Sequence, residues 1–99
     1  MHTTKYADFK KALSAAEPPK RWSEVLKALW FDAKGDLQKA HELVAHRKDE
    51  HGSWVHAYLH RKEGDEWNAG YWYLMADRPF FERSLQEEFR VLLEAALAR

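Results

Sequence analysis

The sequence predicts an all-α domain of six helices. Three observations carry that prediction. Apolar residues recur at helical spacing along most of the chain. Gly and Pro are few, 4 and 3 of 99 residues, and all but Gly70 fall at the ends of the periodic stretches. β-Branched residues are too scarce for a sheet, with no Ile at all.

The elements follow in order. Thr4 can cap a first helix with Tyr6, Phe9, Leu13 and Ala16 on one side, and Pro18-Pro19 ends it because proline lacks a donor and restricts its predecessor. Ser23 can cap a second helix with Leu26, Leu29, Trp30 and Ala33 at helical spacing. Gly35 stops it in the left-handed conformation, and Asp36 caps a third helix carrying Leu37, Ala40, Leu43 and Val44. The charged run Arg47-Lys48-Asp49-Glu50 reads as a solvated loop. Gly52-Ser53 opens a fourth helix from Trp54 to Glu63, stopped by Gly64. Asp65 caps a fifth from Glu66 to Ala76, which Asp77-Arg78-Pro79 ends. Ser84 and Glu87 form a capping box for the last helix, with Leu85, Phe89, Leu92, Leu93, Ala96 and Leu97 inward.

Residues 1–99 make one domain, with an expected radius of gyration of about 13 Å. A chain of this length hides roughly 60–70% of its unfolded surface, enough for a core without staples. The absence of Cys excludes thiolate catalysis, iron–sulfur ligation and cysteine zinc sites. Sixteen basic and sixteen acidic residues cancel, which argues against a general nucleic-acid binder. No apolar run reaches the length of a membrane span, and the first residues lack an apolar signal-type stretch, so a cytoplasmic protein is expected.

The two Gly-Asp turns overlay at an offset of 29 residues. Ala28 then meets Ala57, Gly35 meets Gly64, Asp36 meets Asp65 and Ala40 meets Ala69. Leu43 and Val44 meet Trp72 and Tyr73. Gly64-Asp65-x-x-x-Ala69-x-x-x-Tyr73-x-x-Ala76-x-x-Pro79 resembles the second half of a tetratricopeptide or Sel1-like repeat. The upstream copy keeps Gly and Ala but has Arg47 at the second Ala position and no Pro. The resemblance implies antiparallel helical hairpins with tetratricopeptide-like contacts, a repeat-like centre over 36–79, a C-terminal capping helix over 80–99, and a scaffold for proteins or peptides. The block Trp54-Val55-His56-Ala57-Tyr58-Leu59-His60-Arg61-Lys62-Glu63-Gly64-Asp65 is similar to a run in small uncharacterised bacterial proteins, and that similarity implies no activity.

Two places stand out as sites. On the fourth helix, at about 100° per residue, His56, His60 and Glu63 share one narrow arc. Two His at i and i+4 can chelate a divalent metal, with Glu63 adding an oxygen and Asp65, His41 or His46 completing the set. The competing reading makes them semi-buried structural histidines. The fifth helix is apolar on both sides: Ala69, Trp72, Tyr73 and Ala76 on one, Trp67, Tyr71, Leu74 and Met75 on the other. Such a helix is either the central one, sandwiched between the fourth and sixth, or it presents an interface. Gly70 in its middle suggests close approach by a neighbouring helix or a ligand.

Catalysis has no motif to rest on. Ser23, Ser53 and Ser84 read as caps, Ser14 lies within the first helix, and the carboxylates look like solvated surface. Lys10, Lys11, Lys20 and Arg21 with Trp22 form a small basic-aromatic patch. The expected function is a non-enzymatic protein- or peptide-binding module, without cofactor, using Trp67, Tyr71, Trp72 and Met75, with homodimerisation as one form of it. The alternative is a small-molecule or divalent-metal binder, which could be enzymatic, built on His56, His60 and Glu63.

Overall fold

The computed structural model describes residues 4–98, and six helices form there: α1 Tyr6–Ala12, α2 Glu24–Ala33, α3 Leu37–Val44, α4 Glu50–Lys62, α5 Glu66–Met75 and α6 Leu85–Leu97. No strand occurs among the described residues. The radius of gyration is 12.8 Å. No helix among them is long and apolar enough to cross a membrane.

α4 is the centre of the bundle, and the expectation that α5 is sandwiched between its neighbours does not hold. Nine consecutive α4 residues, His51 to Leu59, are buried. A helix hidden on all sides must be surrounded, and α4 packs against α2, α3, α5 and α6. The closest helix pairs are α4 with α5 and α2 with α3. α5 rests chiefly on α4, which leaves its far side uncovered.

α4 also begins earlier than its glycine suggests. Asp49, not Gly52-Ser53, is the cap, accepting from the Gly52 amide at 3.2 Å. The charged run is therefore structural: Arg47 binds Asp49 at 2.8 Å and reaches Glu24 on α2 at 3.1 Å. Gly52 is needed for space, because a Cβ there would lie 2.7 Å from Cβ of Arg47. Ser53 is buried inside the helix.

The two Gly-Asp turns share one geometry. Gly35 and Gly64 sit at φ 88° and 84°, a region that side chains disfavour. The Gly35 amide donates to Asp32 and the Asp36 amide to Phe31, at 3.0 and 2.9 Å. The Gly64 amide donates to Arg61 and the Asp65 amide to His60, at the same two distances. These are paired Schellman bonds, and each partner is 29 residues from its counterpart. Asp36 and Asp65 then cap the next helices from their side chains. Ala28, Ala40, Ala57 and Ala69 are all fully buried.

α1 is shorter than the distance to Pro18-Pro19 allows. It stops at Ala12, with Lys5 as its N-cap position instead of Thr4 and the Asp8 carboxylate accepting from the Lys5 amide. Ser14 lies beyond the helix, donating to the Lys11 carbonyl. Trp22 is buried and stacks on Phe9 at 5.8 Å, so the basic patch presents no indole. On α2, Asp32 takes a buried place and Ala33 is exposed. α6 starts on the expected Ser84–Glu87 capping box.

Candidate functional site

The outer face of α5 carries Trp67, Tyr71, Leu74 and Met75. Their spacing of four, three and one residues puts them on one stripe. Trp67 is 80% exposed and Leu74 76%, with Tyr71 at 46% and Met75 at 36%. The opposite face, Ala69, Tyr73 and Ala76, is buried against the bundle. Trp72 does not belong to the outer stripe. It is half-buried and stacks on the His56 ring of α4 at 4.0 Å between centroids. Gly70 lies between Trp67 and Leu74, and a Cβ there would meet nothing within 4 Å. No neighbour among the described residues accounts for that glycine.

Behind Trp72 lies the second place. His56 and His60 are one turn apart on α4, as their spacing requires. α3 supplies a third ring, because His41 follows the buried Ala40 and faces α4 three residues before the buried Val44. The ring centroids are 5.1 Å apart for His41 and His56, 4.7 Å for His41 and His60, and 4.9 Å for His56 and His60. One nitrogen from each ring lies within 4.8 Å of the other two. Nε2 of His41, Nδ1 of His56 and Nδ1 of His60 are buried without a hydrogen-bond partner.

Glu63 sits at the rim. Its carboxylate is 3.5 Å from Nδ1 of His41 and 3.7 Å from Nδ1 of His60. Asp65 lies 3.8 Å from that same His60 nitrogen. His46 is elsewhere, paired with Glu24 at 3.3 Å. Burial, helped by the positive charge its two neighbours would carry, pushes the His56 imidazole down to about 4. Burial also lowers His41, against the pull of Glu63. At neutral pH both rings are uncharged, with a lone pair free to accept or to ligate. The i, i+4 pair was legible in the sequence. His41 carried a weaker signal, its place on the inward face of α3.

Two carboxylates that read as surface are buried. Glu88 on α6 is fully covered and accepts from Nε1 of Trp54 at 3.1 Å, from Nη1 of Arg61 at 2.8 Å, and from the Tyr73 hydroxyl. Asp32 on α2 is 3% exposed and accepts from the Tyr58 hydroxyl at 2.6 Å and Nζ of Lys62 at 2.8 Å. Burial, and then the hydrogen bond to a carboxylate, raises both phenols well above the usual tyrosine range. They act as donors, not as nucleophiles. Asp32, Tyr58 and Lys62 form the polar end of an open cavity of about 440 Å³, whose other walls include Leu85 and Phe89.

Comparison with known protein families, curated proteins and solved structures finds no match to this chain.

Proposed function

We propose that the protein is a non-catalytic binding module that engages a protein or peptide, or a second copy of itself, through the outer face of α5. One observation carries this reading: a single stripe of four large apolar side chains faces outward, with Trp67 80% and Leu74 76% exposed. A monomer gains nothing from holding an indole and a leucine in water, and contiguous apolar patches on soluble chains mark contact surfaces. Trp and Tyr are the usual anchors of such contacts. The opposite face of α5, with Ala69, Tyr73 and Ala76, is buried against the bundle, which orients the stripe outward. The matched Gly-Asp turns and their buried alanines support a helical-hairpin repeat as the scaffold, which suits a binding role by analogy of fold.

The test is the double variant Trp67→Ala with Tyr71→Ala. Both side chains project outward, so circular dichroism should report an intact helical fold. Each anchor is expected to contribute about 2 kcal/mol or more to the contact. Sedimentation equilibrium reads self-association, and untagged capture followed by mass spectrometry reads other partners. An unfolded double variant would place the rings in the core and remove the basis of the proposal.

Gly70→Ala separates stability from binding. In the isolated protein the added methyl fills open space and improves helix propensity by about 1 kcal/mol. The urea midpoint should therefore rise. On the outer face the same methyl stands between Trp67 and Leu74, where a partner would approach, so the contact should weaken. A parallel gain in both quantities would show that Gly70 lies outside the contact.

A further inference from the structure

The geometry points to a mononuclear divalent-metal site of the zinc class, ligated by His41, His56 and His60, with a fourth position open to water or to Glu63. This site is on the inner side of α5 and does not depend on the contact surface proposed above.

The argument starts from distances. Three imidazoles bound to one tetrahedral ion, with nitrogens about 2.0–2.1 Å from it, place their ring centroids about 5 Å apart. The observed separations are 4.7, 4.9 and 5.1 Å, close to an equilateral triangle. The three candidate nitrogens lie within 4.8 Å of one another, and small side-chain rotations bring them to bonding distance of a common centre. The ligands come from two helices, α3 and α4, whose positions are fixed by Ala40, Val44 and Ala57, all fully buried. The rings therefore need no rearrangement of the backbone to converge.

Energetics point the same way. His56 is only 7% exposed, and its Nδ1 has no hydrogen-bond partner. Nε2 of His41 and Nδ1 of His60 are in the same state. Three buried ring nitrogens without a hydrogen-bond partner, on rings whose centroids lie within 5.1 Å of one another, are costly in a purely structural core, where apolar side chains would fill the volume without penalty. A cation supplies all three lone pairs with a partner at once. Trp72 walls one side by its stack on His56. The carboxylates of Glu63 and Asp65 at the rim offset the ion's charge, and Glu63, 3.5 Å from Nδ1 of His41, can accept from that N–H while Nε2 ligates, the usual outer support of metal-bound histidine.

The donor set selects the ion class. Three imidazole nitrogens suit Zn²⁺, Co²⁺, Ni²⁺ or Cu²⁺, while Mg²⁺ and Ca²⁺ require oxygen cages. Three protein ligands with one open position is also the pattern of sites that keep an exchangeable water.

The test uses the untagged full chain, freed of metal by a chelator. Calorimetric titration with Zn²⁺ should give one site per chain, and thermal melts should shift upward with free zinc. Co²⁺ should give the intense visible absorption of a tetrahedral nitrogen-ligated ion, and Mg²⁺ should give neither heat nor shift. His41→Gln, His56→Gln and His60→Gln should each weaken Zn²⁺ binding by more than about 100-fold, since loss of a supporting group alone costs 10–100-fold. His46→Gln should leave affinity unchanged. If a buried histidine variant loses its helical spectrum, His41→Gln together with the Co²⁺ spectrum of the parent decides the matter. Absence of one-to-one Zn²⁺ or Co²⁺ binding by the parent would overturn the proposal. So would a His41→Gln protein that folds and binds zinc as the parent does, because chelation would then be confined to the α4 pair.

Discussion

Glu88→Ala is expected to destabilise the protein by about 3–5 kcal/mol, the usual cost of removing one partner from a buried charge pair. The carboxylate is fully covered and holds three donors: Trp54 and Arg61 from α4, and Tyr73 from α5. With alanine in its place, the Arg61 guanidinium keeps its charge in a largely covered position, and a phenol and an indole lose their acceptor. A domain of this size has a total stability of about 5–15 kcal/mol, so the variant should melt about 15–25 °C lower or fail to fold. Glu88→Gln is the control. It keeps the shape and one acceptor oxygen but loses the charge, and should fall between parent and alanine variant. Urea midpoints of the three proteins read the series. A Glu88→Ala midpoint equal to the parent's would mean that solvent, not Glu88, satisfies Arg61.

That network marks the limit of what the sequence discloses. Glu88 lies next to Glu87, which completes the Ser84 capping box, and both read as first-turn carboxylates on a solvated face. Glu87 is exposed and Glu88 is buried. The difference is made by partners 15, 27 and 34 residues away, which no local pattern encodes. The same holds for His41, whose companions arrive from α4. Signals that act within one turn were readable: the caps at Ser23, Asp36, Asp65 and Ser84, the left-handed stops at Gly35 and Gly64, and the two-faced pattern of α5. Local cues also misled. Gly52 looked like a helix opening, but it is a space requirement against Arg47 within a helix capped by Asp49. Gly70 suggested close approach by a neighbouring helix or a ligand, and the space beside it holds no neighbouring helix among the described residues. α4, flanked by charge and rich in His, gave little sign of being the central helix, because burial on all sides removes the stripe by which an amphipathic helix is recognised.

Trp30→Ala is expected to cost about 3–5 kcal/mol, and its consequence should be local before it is global. Trp30 is 1% exposed, so truncation leaves a large void in the core beside the end of α1. It also removes the bond from Nε1 of Trp30 to the Ala12 carbonyl, 2.9 Å long, at the point where α1 ends. Lys34 supports the same end, donating to the Leu13 carbonyl at 2.6 Å while its ammonium lies 5.4 Å from the Trp30 ring centroid. α1 is a helix of seven residues with one buried side chain, Phe9, so it has little to hold it apart from these contacts. Trp30→Phe keeps most of the ring volume and removes the donor; its loss should be nearer 1–2 kcal/mol, about one hydrogen bond and a small cavity. Hydrogen exchange on this milder variant should show α1 amides losing protection while those of α4 keep theirs, as expected for an element that opens on its own. Uniform loss across all helices would show that α1 unfolds only with the whole bundle, and that Trp30 acts through the core and not as the tether of the first helix.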